Sequence, residues 1–91
     1  MTSFPRVLVT WKDIVGVEET WVDLDEARAV RVAVVDTMGW VITNDEEFLI
    51  IVSSLFRDQS DAGSVTTIPK GCIVSIRQIT ETAPYQPPAN L

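Results

Sequence analysis

Histidine is absent from the chain, and cysteine occurs once, at Cys72. The first absence removes the commonest general base and the commonest metal ligand together. The second excludes an intramolecular disulfide and agrees with a reducing compartment. Cys72 lies in an apolar run with no histidine to activate it, so it reads as an inert buried thiol. Cysteine clusters, Ser-His pairs and glycine-rich phosphate loops are also missing. The longest apolar run, Phe48 to Val52, is far too short to span a bilayer. Met1–Pro5 lacks the basic segment and apolar stretch of a signal peptide. These absences lead us to expect a cytoplasmic protein outside the membrane, without catalytic activity, cofactor or metal.

Positive charge is scarce. Seven Lys and Arg stand against 13 Asp and Glu, for a net charge of −6. Such a surface repels phosphate backbones and argues against nucleic acid as a partner. With 91 residues, the chain is long enough for one domain with a modest core. An apolar fraction of 46% and a charged fraction of 22% are ordinary for a globular protein.

The chain is organised around Arg31–Phe56. Two long arms rich in Val, Ile and Phe flank a turn at Asn44, Asp45 and Glu46, which predicts a hairpin. Gly39, between Met38 and Trp40, predicts a bulge, a bend or a close backbone approach. The second arm, Glu47–Phe56, is apolar on both parities, so something must cover its outer face, either internally or from another subunit. Before the hairpin, Arg6–Trp11 reads as a strand, with a short extra strand conceivable at Asp13–Val15. Trp21–Ala29 reads as a short helix capped by Asp23, with Glu26 completing a variant capping box. After the hairpin come a polar loop (Arg57–Ser64), a short strand (Val65–Ile68), a turn (Ile68–Gly71) and a last strand (Cys72–Ile79). From Thr80 the tail is proline-rich and is expected to be extended or disordered.

Five strands in this order, with one helical-type turn between the last two, predict a single five-stranded SH3-like barrel over residues 1–80. A short helix sits in its first long loop, and 81–91 form the tail. Two segments resemble the Sm/LSm family of small barrels. Gly39-x-Val41-x-x-x-Asp45-x-x-Phe48 follows the spacing of that family's first motif. Ile68-Pro69-Lys70-Gly71-Cys72-Ile73-x-x-Ile76 looks like its second motif, with Lys70-Gly71 in place of Arg-Gly. Leu49 stands where the family carries its base-contacting asparagine. The resemblance implies an Sm-like fold, ring assembly through strand edges and, as an alternative, binding of single-stranded RNA. The Trp-x-Asp at Trp21–Asp23 and the Ile-Pro-x-Gly at Ile68–Gly71 are also similar to small bacteriophage-encoded proteins.

Candidate site residues fall into two groups. Asn44, Asp45, Lys70 and Gly71 form a possible ligand-binding set, which the Sm resemblance would place around a central opening. Trp21, Arg57 and Arg77 form a partner-binding set, because a tryptophan in a long loop suits an interface and the cations near the last strand could take an anion. Trp40 is expected to fill the core. Asp23 and Asp25, or Asp45–Glu47, have the chemistry to ligate a cation, but a helix cap and dipole for the first pair and a solvated turn for the second are the preferred reading. The sequence therefore leads to a self-associating, non-enzymatic binding module for a protein or a small anionic ligand. The alternatives are the RNA-binding ring and an acidic accessory inhibitor of a host protein.

Overall fold

The computed structural model describes residues 3–89. Its strands are β1 (Arg6–Asp13), β2 (Ala33–Asn44), β3 (Phe48–Leu55), β4 (Ala62–Pro69) and β5 (Ile73–Gln78). One short helix, α1 (Leu24–Ala29), lies between β1 and β2, and a 3₁₀ turn at Lys70–Cys72 joins β4 to β5. The strands form one antiparallel sheet in the order β4-β3-β2-β1-β5.

The β2–β3 hairpin forms where its turn chemistry predicts. Asp45 Oδ1 accepts hydrogen bonds from the backbone N–H groups of Glu47 and Phe48, each at 2.8 Å. That arrangement closes the turn through its own side chain. The ladder then runs from Asn44↔Leu49 to Trp40↔Val52, with a bulge between Val41 and Thr43. Beside it, β2 folds so tightly against β3 at Gly39 that a Cβ there would lie 2.5 Å from the Val52 carbonyl oxygen. The close approach expected at this glycine is thus real, and the bulge follows it a few residues later. A second bulge lies in the β1–β5 ladder, where Thr10 pairs with Ser75 and Trp11 with Ile73, so Val74 of β5 is the extra residue.

α1 is held by its own ends. Asp23 caps it by accepting from the Glu26 N–H at 2.8 Å, and Arg28 pairs with Asp25 at 3.3 Å. None of its residues is buried. The possible extra strand at 13–15 does not form separately, because β1 runs through to Asp13. β4 begins at Ala62, three residues before the predicted start, since Ala62 and Gly63 pair with Leu55 and Ser54. Pairing to a formed neighbour overrides weak local β-propensity.

The SH3-like or Sm-like barrel does not form. β4 pairs with β3 and β5 pairs with β1, so the two strands that would have to meet stand at opposite edges of an open sheet. Closure needs an interior filled by side chains from every strand. Here the fully enclosed set is small: Val7, Val9, Leu49, Ile51 and Ile68, with Trp11, Val41, Cys72 and Ile73 packed around it. The bend at Gly39 and the two bulges curl the sheet, but this little core gives its edges nothing to close around. The Sm-like ring and its RNA-binding alternative, which presuppose a barrel, lose their structural basis.

Trp11 is the tryptophan that packs on the core, donating its Nε1–H to Thr37 Oγ1 at 2.9 Å. Trp40, expected there, belongs to the other face. Residues 80–89 contain no strand or helix and are exposed. No helix among the described residues is long and apolar enough to cross a membrane.

The molecule is open to an unusual degree. Its accessible surface is 7458 Å², where a compact monomer of 10.1 kDa would expose about 5,300 Å². Its radius of gyration is 17.7 Å, against about 12 Å for a compact chain of this length.

Candidate interaction surfaces

Three of the four ligand-set residues meet at one corner. Lys70 donates its ammonium to Asn44 Oδ1 and its backbone N–H to the Glu47 carbonyl, the latter at 2.8 Å. Asp45 lies in the same turn as Asn44, its carboxylate occupied by the two turn amides. Gly71 follows Lys70 in the 3₁₀ turn, where a Cβ would meet nothing within 4 Å. The corner therefore ties the hairpin end to the β4–β5 connection, with one cation and one carboxylate side by side.

These contacts have an acid signature. The Phe48 and Glu47 amides hold the Asp45 carboxyl below its ordinary value of 3.8, with a smaller contribution from Lys70. The Ser60 hydroxyl and amide lower Asp58 in the same direction. A carboxylate whose folded pKa is depressed adds stability that is complete above the unfolded pKa and is lost as pH falls through the folded one. Melting temperature should therefore drop on acidification below about pH 4. Asp45→Asn, which keeps an oxygen acceptor but cannot titrate, should show a shallower acid limb. An identical limb in variant and parent would remove Asp45 from the account.

The partner set does not converge. Arg57 lies in the turn after β3 and Arg77 in β5, three strands away across the sheet. Trp21 precedes α1 and is 90% exposed. It borders a shallow depression with Val17, Glu19, Val22, Glu26 and Val30. The possible cation ligands are spoken for locally, Asp23 by the helix cap and Asp25 by Arg28. Among the described residues no group of three or more His, Cys, Asp or Glu is gathered.

A surface that no single motif announces lies on the face opposite the core. The ladders align Arg77, Leu8 and Met38 in one cross-strand row. The next row holds Arg6, Trp40, Val52 and Val65, with Ile79 tied to the Arg6 carbonyl at 2.8 Å. Arg6, Met38, Gly39, Trp40, Ser53 and Ile79 enclose a groove of about 270 Å³. Farther toward β4, Phe4, Ile42, Ile50, Val52, Leu55 and Val65 line a second, of about 250 Å³. Val52 is buried on this face, while Met38 and Val65 remain largely exposed. The signal in sequence was the double apolar parity of Glu47–Phe56, together with Met38 and Trp40 on one parity of β2.

The edges complete the inventory. β4 and β5 each use one side for pairing within the sheet, which leaves a row of backbone donors and acceptors on the other. No family model matches the chain, and neither a curated protein nor a solved structure does.

Proposed function

We propose that this chain is a non-enzymatic structural subunit whose working form is an assembly with copies of itself. The observation that carries this reading is its surplus of surface, about 2,200 Å² beyond that of a compact monomer. Open strand edges and exposed apolar residues supply what an interface needs. A stable interface removes about 800 Å² from each partner; the exposed 80–89 tail supplies part of the surplus, and the open edges and apolar face supply surface for a contact with a second copy. The carboxylates lie in separate stretches, before and within α1, in the β2–β3 turn and after β3. That spread does not favour the acidic-inhibitor reading, which needs them on one face.

The test is native mass by light scattering coupled to size exclusion, at tens of micromolar. A discrete multiple of 10.1 kDa is expected. A monodisperse monomer over that range would overturn the reading.

A further inference from the structure

We propose that residues 14–32 are an exchanged arm, which docks on the Arg6–Leu8–Met38–Trp40–Arg77 face of a second copy of the chain. This inference rests on the self-assembly reading and names the contact that produces it.

The arm carries large apolar side chains that its own subunit leaves exposed. Ile14 is 86% exposed, Trp21 90% and Leu24 69%, and α1 buries no residue against the sheet. A helix of six residues is too short to persist by propensity alone, so an apolar partner is what would stabilise it. Trp21 and Leu24 lie three residues apart, and a tryptophan that becomes buried at an interface is a common energetic anchor.

The receiving face complements the arm in shape and charge. Between residues 14 and 27 the arm carries Glu18, Glu19, Asp23, Asp25 and Glu26 and no cation. The receiving face carries two cations next to Leu8, Arg77 across from it on β5 and Arg6 two residues before it on β1, with Met38 on the other side and Trp40 opposite Arg6 at the groove. Lys12 shares the same parity of β1. Asp36, a carboxylate on that side, accepts from the Thr10 hydroxyl at 2.6 Å, and Asp61 lines the separate groove toward β4. An acidic arm bearing an indole thus finds a cation-flanked apolar groove.

Among the described residues, none of the arm lines the groove of its own subunit. The arm leaves β1 after Asp13 and returns at Ala33, which are paired at one end of the β1–β2 ladder. The groove lies at the other end, where Arg6 pairs with Trp40. An eight-residue strand puts these ends about 25 Å apart. Arm and receiver at opposite ends of one subunit make a head-to-tail contact, which repeats from copy to copy.

Charge reversal in trans tests this. One variant carries Arg6→Glu and Arg77→Glu; the other carries Glu18→Arg and Glu19→Arg. Each alone should assemble at least tenfold more weakly than the parent in sedimentation equilibrium at low salt. Mixed in equal amounts they should assemble again, because the acidic arm of the first meets the unaltered face of the second and the basic arm meets the acidic face. Trp21→Gln, at a position that packs on no strand, should weaken assembly without changing the far-ultraviolet spectrum of the sheet. If the parent assembles but Trp21→Gln and both charge variants match it, the arm proposal is overturned while assembly through strand edges stands. Loss of assembly in each charge variant with no recovery on mixing would also overturn it. A monomeric parent would overturn both.

Discussion

A Gly39→Ala variant is expected to lose about 3 kcal/mol of stability, the upper end of what overpacking a formed interior costs. The added methyl would sit 2.5 Å from the Val52 oxygen and 3.0 Å from its carbonyl carbon. Both are backbone atoms, so no rotamer change relieves the clash. The strands would have to separate, and separation breaks the Trp40↔Val52 pairing that begins the β2–β3 ladder. Gly71→Ala is the control: a methyl there meets nothing within 4 Å, and the residue does not use a positive φ. That change is expected to be neutral, or stabilising by about 0.5 kcal/mol through the unfolded chain. Urea unfolding at one fixed protein concentration reads both. Equal midpoints for the two variants would mean that β2 and β3 can part freely at this point.

Ile51→Ala is expected to cost about 3 kcal/mol, midway in the range for buried isoleucine truncations. Ile51 is 1% exposed in a core whose other enclosed members are Val7, Val9, Leu49 and Ile68. Its register partners, Val41 on β2 and Thr66 on β4, are held by ladders on both sides. The backbone therefore cannot collapse fully into the space left behind. Phe56→Ala removes more carbon from the same segment, but Phe56 is exposed, so its effect should stay within about 0.5 kcal/mol. A comparable loss in both would show that the apolar residues of this arm are not divided into core and surface as the sheet places them. The same unfolding experiment, run at two protein concentrations, separates intrinsic stability from the contribution of assembly.

What the sequence determined by itself is local. Asn44–Glu46 defines the hairpin because an aspartate in that position satisfies two turn amides with its own carboxylate. Asp23 begins the helix because it caps the Glu26 N–H. Gly39 announced a close backbone approach, since only glycine leaves room for one. Each of these depends on residues a few positions apart, so a linear pattern carries the whole cause.

Only the tertiary structure decided whether the sheet closes. The same strands, alternation and turn residues serve an open sheet or a barrel. Closure depends on the summed twist, the bulges at Ile42 and Val74, and the volume available to fill the inside. None of these is a property of one segment. The two faces of β3 were undecided for the same reason, since Leu49 and Ile51 differ from Ile50 and Val52 in sequence only by parity. Their neighbours separate them: Val7, Val9 and Ile68 meet the first pair, while Trp40 and Val65 share the other face. Through that assignment Trp11 packs on the core, where Trp40 was expected. Burial is a relation among distant residues, and for this chain it leaves one apolar sheet face and the segment with Trp21 and Leu24 exposed.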